Sequence, residues 1–258
     1  MDPATIIGVG LAFAAIFAAM TIEGTSIGSI MLAAPLILVF VGTLGVGLAS
    51  GLMKDGIGLV GQLKIAFLAK KVDPAGVVQA ITKLAEKARR EGLLALEDGM
   101  KDVDDAFLKK GLQLAIDGTD SEELREILEA EVDAKRKADK AGAKIFADMG
   151  GYAPTIGIIG TVTGLIHVLA NLSDPAGLGE LIASAFVATL WGIMSANVMW
   201  LPIGNRLKRV SEIECGQMEM VIAGIMNIQA GANPRIIAMK LKSLCPPGSI
   251  PDEEKKAA

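Results

Sequence analysis

Residues 151–171 read GYAPTIGIIGTVTGLIHVLAN and contain no Asp, Glu, Lys or Arg. A helix needs about 20 mainly apolar residues to cross about 30 Å of hydrocarbon, and this stretch is long enough. Its one histidine is His167, and Pro154 stands near its start, where a missing backbone hydrogen bond is easiest to accommodate. The stretch therefore predicts a transmembrane helix.

Three more stretches have the same character, at about 4–22, 30–50 and 181–204, and Pro202 lies near the end of the last. The composition agrees, because 52% of the residues are hydrophobic and the mean hydropathy is +0.49. Together the four stretches predict an all-α integral membrane protein with four transmembrane helices.

The basic residues predict the orientation of these helices. Every Lys and Arg lies in 54–144 or from 206 onward, and the connections 23–29 and 172–180 have none. The positive-inside rule then places the long insertion, the C-terminal tail and the N-terminus in the cytoplasm. The predicted segments are 1–53 with the first two helices, 54–150 as a helical cytoplasmic domain, 151–205 with the last two helices, and 206–258 as a cytoplasmic C-terminal helix and tail.

Small residues line one face of each of the last two spans. They are Gly157, Gly160 and Gly164 in the third, and Ser184, Ala188, Gly192 and Ala196 at four-residue intervals in the fourth. Small side chains let membrane helices approach closely, which favours a helix interface on these spans. The alternative is plain packing within the chain.

Several kinds of site are not predicted. No span contains Asp, Glu, Lys or Arg, so an ion-binding carboxylate would have to come from a partner. No Gly-rich phosphate loop, paired cysteines or His-based metal spacing occurs, so we expect no catalytic and no metal site. Cys215 and Cys245 are expected to be reduced cytoplasmic thiols. A net charge of −4 gives no strongly basic surface for nucleic acid.

The insertion is predicted to be helical. Asp73-Pro74 is a helix start, and Thr119-Asp120-Ser121-Glu122 is a capping-box pattern. The charged stretch 131–144 is expected to continue into the third span as a stalk. Arg89 and Glu97 would lie about 80° and 12 Å apart on an ideal helix. Such a pair could show both signs to a charged partner, or belong to an ordinary solvated face.

Several motifs, taken in chain order, resemble the MotA/PomA family of flagellar stator proteins over nearly the whole sequence. They are Arg89-x-x-Gly92-x-x-x-x-Glu97, 153–166 (APTIGIIGTVTGLI), 185–192 (AFVATLWG), 201–208 (LPIGNRLK) and 231–235 (GANPR).

The resemblance implies a homopentamer around two copies of a single-span B subunit, which supplies an ion-binding aspartate and anchors to peptidoglycan in the bacterial inner membrane. The last two spans would face that partner through the packing residues Gly157, Gly160, Gly164, Ala188 and Gly192, with the first two outside. Ion flow would turn the ring against the rotor protein FliG, without an enzyme activity or a cofactor. The other surroundings are membrane lipid, and no nucleic acid is implied.

The resemblance also implies residue roles. Arg89 and Glu97 match the rotor-facing charges, and Pro154 and Pro202 match the prolines that couple ion movement to motion. Thr161 resembles the sodium-driven members, and Thr189 could add a second hydroxyl. Hydroxyl oxygens suit Na⁺, so sodium is favoured over the proton, although a membrane threonine commonly bonds its own helix.

Three other classes remain as alternatives. An ExbB/TolQ-like energiser has three spans, with its main soluble portion after the first, whereas two apolar stretches precede residue 54 here. A self-contained ion channel lacks a pore carboxylate in this sequence. An intramembrane enzyme would need a pair such as His167 with Ser184 or Ser195, and no motif surrounds those residues.

Overall fold

The computed structural model describes residues 3–51, 56–69, 72–173 and 177–245. The described secondary structure is helical. The first four helices are α1 (Ala4–Ile22), α2 (Ala33–Ala49), α3 (Leu59–Leu68) and α4 (Pro74–Glu91). The next five are α5 (Leu96–Gly99), α6 (Ala106–Ile116), α7 (Ser121–Ala170), α8 (Leu178–Gln229) and α9 (Pro234–Leu244). Residues 52–55 and the end of the predicted tail, 246–258, lie outside the described part.

Both predicted helix starts are found, although Asp120 caps the second helix in place of Thr119, the first residue of the capping-box pattern. Asp73 caps α4 by accepting from the Gly76 amide at 3.1 Å, and Pro74 takes the first helical position. Asp120 accepts from the Glu122 amide at 2.9 Å at the start of α7. From Ser121 a single helix runs to Ala170, so the charged stretch and the predicted third span are one element.

Three described helices are long and apolar enough to cross a membrane, namely α1, α7 and α8. The second predicted span differs, because 27–30 form a 3₁₀ turn and the helix begins only at Ala33. Pro35 fits there since the first turn of a helix needs no intrahelical donor. At about 1.5 Å per residue, Ala33–Ala49 covers about 25 Å, less than the hydrocarbon thickness.

The chain divides into two compact units. One comprises Met1–Lys70 with Asp139–Val210, and the other Lys71–Ala138 with Ser211–Ala258. Residues 59–68 therefore belong to the unit that holds the apolar helices. The division interrupts both α7 and α8, so each long helix contributes to two separate cores.

The first unit, the membrane unit, has small buried clusters and a largely apolar exterior. One cluster centres on Phe146, Met149 and Trp200. Another joins Val39 and Trp191 to neighbouring side chains of α1 and α2. No residue of α1 is buried, and large apolar side chains stay exposed along it: Ile6, Ile7, Leu11 and Ile22.

The second unit, which we call the charged unit, has one aliphatic core and a charged surface. The largest of its fully buried side chains come from α4 to α9: Ile81, Leu96, Leu108, Leu112, Leu124, Leu128, Ile225, Ile237 and Leu241. Ion pairs cross its outside, such as Lys135 with Glu214 at 2.8 Å. Lys110 also pairs with Glu131, and Arg136 with Glu219.

Candidate functional site

The two predicted inner spans approach each other closely at a pair of glycines. A Cβ atom on Gly157 would lie 2.8 Å from the Ala188 carbonyl oxygen and 3.2 Å from the Gly192 Cα. A Cβ atom on Gly192 would lie 2.7 Å from the Ala153 carbonyl oxygen. Because backbone atoms occupy these positions, no side chain larger than hydrogen fits at either glycine. We call this contact between α7 and α8 the glycine seam.

The seam continues through alanines. A Cβ atom on Gly160 would lie 2.5 Å from that of Ala188, and one on Gly164 would lie 2.6 Å from that of Ala185. Facing positions on α8 are therefore spaced by four and then three residues, as 3.6 residues per turn requires. The predicted stripe at strict four-residue intervals placed Ser184 there instead of Ala185. The close approach is thus made within the chain.

The two candidate ion-path threonines meet at the centre of this seam. The Thr161 and Thr189 hydroxyls are in hydrogen-bond contact. Thr161 also lies 3.1 Å from the Ala185 carbonyl oxygen and 3.3 Å from that of Gly157. Thr189 approaches the same Gly157 oxygen at 3.3 Å. Two hydroxyl and two carbonyl oxygens therefore converge between the helices, which we call the oxygen cluster.

The hydrogen bonds of Thr161 differ from those of the neighbouring Thr163. The Thr163 hydroxyl donates only backwards along its own helix, to the Ile159 and Gly160 carbonyl oxygens at 3.0 and 3.1 Å. Such back-bonding is the ordinary behaviour of a helical threonine. Thr161 combines a back-bond with contacts across to α8, so its hydroxyl belongs to both helices.

The two predicted coupling prolines lie in different surroundings. Pro154 stands inside α7 and removes the hydrogen bond that would end on the Gly150 carbonyl. Pro202 follows a π-helical segment, Ala196–Trp200, within α8. The Leu201 amide there donates to the Ala196 carbonyl, five residues back. This wider turn leaves room for a proline ring that would otherwise clash with the carbonyl four residues earlier.

A cavity of about 420 Å³ borders Pro202 within the membrane unit. Its walls are Ala4, Thr5, Gly8, Val9 and Ala12 from α1, and Asn197, Val198 and Pro202 from α8. One side of Pro202 therefore borders open space. The Asn197 amide donates to the Ile193 carbonyl at 2.9 Å, so its own helix satisfies that donor.

The predicted rotor-facing pair lies on a chain reversal. Arg89 is exposed near the end of α4, which stops at Glu91, and Gly92 has φ +85°. Because that conformation breaks the helix, Glu97 is not on the same helix as Arg89, and the ideal-helix separation was wrong. A Cβ atom on Gly99 would lie 2.9 Å from the Leu84 side chain. The segment 93–99 therefore returns along α4.

Other charges share this reversal. Lys101 pairs with Asp98 at 2.8 Å. That ion pair, with a smaller contribution from Lys87, lowers the pKa of the Asp98 carboxyl from its ordinary value. Arg89 and Glu97 make no ion pair within the described residues. The exposed turn therefore displays charges of both signs that are free to meet a partner.

Sequence reasoning missed two features of the membrane unit. The Gly157 and Ala185 carbonyl oxygens are backbone groups, so no residue type signals them. The Trp191 indole donates to the Ile30 carbonyl at 2.7 Å and stacks edge to face on Phe40 at 5.7 Å. A tryptophan in a span usually finds such a partner when buried, but the sequence does not say which.

Comparisons with known proteins agree over most of the chain. Residues 100–220 match the model of the MotA/TolQ/ExbB proton channel family. Motility protein A of Bacillus subtilis (strain 168) is 38% identical over 95% of this chain and 92% of that protein. Chemotaxis protein PomA of Vibrio alginolyticus is 32% identical over 94% of this chain and 95% of that protein.

Solved structures are also similar. A chain of the C. jejuni MotAB structure superposes with a TM-score of 0.93 at 28% identity, covering 98% of this chain and 100% of that chain. A chain of the flagellar MotAB stator complex from Bacillus subtilis gives 0.87 at 36% identity, covering 95% and 96%. Relatives this similar over nearly their full length confirm the family expected from the motifs. The chain belongs to the MotA/PomA family of flagellar stator subunits and is a membrane protein.

Proposed function

We propose that this chain is the A subunit of a stator that converts ion-motive force into torque together with a single-span, peptidoglycan-binding B subunit. The observation that carries the proposal is the superposition on a MotAB chain over 98% of the sequence. The helices before the insertion, α1 and α2, favour this assignment over the ExbB/TolQ-like energiser. The relatives named motility protein A cover them too.

The proposed topology has four spans, with both termini in the cytoplasm of a bacterium and the chain in its inner membrane. The first unit's exposed apolar surface supports a lipid environment for α1, and α2 is treated as a short fourth span. The charge asymmetry supports a cytoplasmic insertion and tail. The segment 1–53 would be peripheral, 54–150 would meet the rotor, and 151–205 would line the partner and ion path.

The proposed assembly is five copies around two B subunits. None of the predicted spans carries a carboxylate, so the ion-binding aspartate would come from the B subunit. Apolar side chains on the outer faces of α7 and α8 are available for that contact: Ile158, Ile159, Val162, Ile166, Phe186 and Ile193. The seam glycines would act indirectly, by fixing the two helices that present those faces.

We favour Na⁺ as the transported ion, with H⁺ as the alternative. The oxygen cluster supports sodium, because hydroxyl and carbonyl oxygens suit a hard cation that is losing water. His167 is the one histidine in the predicted third span and would be the proton-side candidate. Swimming should therefore stop when Na⁺ is replaced by K⁺ at constant membrane potential. Full swimming without sodium would overturn the sodium assignment.

A matched pair of variants tests the oxygen cluster directly. Thr161→Ala removes a hydroxyl that contacts α8, whereas Thr163→Ala removes one that bonds only its own helix. We expect Thr161→Ala to change the Na⁺ concentration needed for half-maximal speed, and Thr163→Ala to leave it unchanged. Equal behaviour of the two variants would count against an ion path through this cluster.

The rotor contact is proposed to use Arg89 and Glu97 against FliG. Charge reversal at either position should impair swimming while the complex still assembles in the membrane. Lys109→Glu, an exposed reversal on α6, is the control and should swim normally. Loss of assembly in the Arg89 or Glu97 variants would indicate a structural role instead.

Pro154 and Pro202 are proposed to couple ion passage to movement. The π-helical turn and the cavity beside Pro202 support this role, because they leave that segment of α8 room to change shape. Pro202→Ala should lower the torque of motors that still recruit stators. Unchanged torque per stator would contradict coupling through Pro202.

A further inference from the structure

The reversal after α4 exposes a leucine as well as charges. Leu94 is 72% exposed, more than any other large apolar side chain among the described residues of the charged unit. A single exposed leucine is ordinary on a protein surface. Leu94 lies in a turn that begins at Gly92, where the backbone φ is positive. Its neighbours Leu93 and Leu96 turn inward.

The turn holds this arrangement through its own contacts. The Gly92 amide donates to the Ala88 carbonyl at 2.9 Å, and the Ala95 amide donates to the Gly92 carbonyl at 3.3 Å. Leu96 is fully buried in the aliphatic core, which fixes the segment that returns after the turn. Leu94 is thus held outward by a turn anchored on both sides, and its exposure is built into the fold.

Charges surround this leucine along the chain. Arg89 and Arg90 precede the turn, and Glu97 follows it, all exposed. In the described part of the molecule none of these three forms an ion pair. Protein interfaces typically place an apolar anchor inside a polar rim, where the anchor carries affinity and the rim charges carry orientation and association rate.

We propose that Leu94 is the apolar anchor of the rotor contact. It would insert into an apolar depression on the rotor protein, with acidic and basic side chains around that depression facing Arg89 and Glu97. The inference rests on the proposed function, since it assigns the chemistry of the same contact. It predicts that affinity has a salt-insensitive part from Leu94 and a salt-sensitive part from the charges.

Binding of the purified full-length stator complex to purified FliG tests the proposal at low and high salt. Leu94→Ser should weaken binding about tenfold at both salt concentrations, because burying a leucine side chain strengthens binding by roughly a factor of ten. Leu94→Met should bind almost normally. Arg89→Glu should weaken binding mainly at low salt. Met239→Ala is the matched control, since Met239 is 70% exposed on α9, and it should bind like the unsubstituted complex.

The possible outcomes distinguish a failure of the Leu94 anchor from a failure of the proposed function. If the unsubstituted complex binds FliG and Leu94→Ser binds equally well, the anchor is refuted and the proposed function stands. Equal losses in Leu94→Ser and Met239→Ala would also refute it, because exposed apolar surface in general would then be responsible. If the unsubstituted complex neither binds FliG nor restores swimming, the proposed function itself fails.

Discussion

The membrane unit and the charged unit hold their helices together in opposite ways. At the glycine seam of the membrane unit, α7 and α8 meet through glycines and alanines, with backbone atoms about 3 Å from a Cβ position. In the charged unit the helices meet through large aliphatic side chains such as Leu108, Leu112 and Ile225, all fully buried. The same two long helices contribute to both arrangements.

The difference follows from the solvent each unit is built for. Water drives large apolar side chains together, so the charged unit gains from burying leucine and isoleucine. Lipid tails are as apolar as leucine, so membrane helices gain instead from close contact and from hydrogen bonds between them. The exteriors mirror this: the membrane unit exposes isoleucine and leucine, and the charged unit exposes ion pairs.

The largest effect should come from opening the aliphatic core. Leu112→Ala removes a fully buried side chain from the charged unit, and such a change typically costs about 2–5 kcal/mol. Unfolding of the full-length protein in detergent, followed by limited proteolysis of this unit, measures it. Lys109→Ala, an exposed change on the same helix, should alter stability by less than about 0.5 kcal/mol. Equal effects would mean that this core does not depend on side-chain burial.

The glycine seam should be destabilised by adding atoms, whereas the aliphatic core is destabilised by removing them. Gly157→Ala puts a methyl group against the backbone of α8, and overpacking typically costs about 1–3 kcal/mol. Gly151→Ala on the same helix meets nothing within 4 Å, so it should be neutral or slightly stabilising. Thermal unfolding of the purified protein compares them. A tolerated Gly157→Ala would show that the seam has more freedom than these distances allow.

Hydrogen bonds from side chains to distant backbone provide a narrower test. Trp191→Phe keeps an aromatic ring beside Phe40 and removes the donor to the Ile30 carbonyl, which should cost about 1 kcal/mol. In the charged unit, Gln229 donates to the Thr119 carbonyl at 2.7 Å, but its own side-chain oxygen is buried and has no hydrogen-bond partner among the described residues. Gln229→Met should therefore cost less. The reverse order would contradict the view that polar contacts matter more in the membrane unit.

The smallest expected effect concerns a surface charge of the charged unit. The Lys101 ammonium lowers the pKa of Asp98, so this carboxylate stabilises the fold above its ordinary pKa and that contribution is lost as pH falls through the lowered value. Lys101→Ala should raise the pKa of Asp98 toward its ordinary value and flatten this part of the pH dependence of stability. Titration of the Asp98 carboxyl by NMR measures the change. An unaltered pKa would mean that Lys101 does not act on it in solution.

Much of the helical organisation could be predicted because it rests on patterns with direct physical causes. Apolar runs without charge predicted the segments 4–22, 151–171 and 181–204. The cap at Asp73 and the capping-box pattern at 119–122 predicted where α4 and α7 begin, the latter to within one residue. These signals are local, so one sequence is enough to show them. The start of α2 was less predictable, because an apolar 3₁₀ turn looks the same as an apolar helix in composition.

The candidate sites were predictable in residue type but not in geometry. The glycines and threonines of α7 stood out, yet their partners depend on the helical repeat and on backbone oxygens, neither of which a residue pattern displays. Arg89 and Glu97 were found by motif, but their relation depends on the φ value of one glycine. Gly92 is the sequence signal of that break, since glycine is the usual residue at positive φ, but the ideal-helix separation of Arg89 and Glu97 took no account of it.

The π-helical turn in α8 also lets the chain carry one extra residue. Ala196–Trp200 is, in effect, an α-helix with one residue inserted, and each residue turns a helix by about 100°. In a regular helix the extra residue would rotate every later position by that angle, but the wider turn absorbs it, so Ile203 and Leu207 stay buried in their core. Deleting one residue there should therefore restore a regular helix and leave both side chains buried. A relative without the insertion needs no second change, so its alignment with this chain should show one single-residue gap at this point.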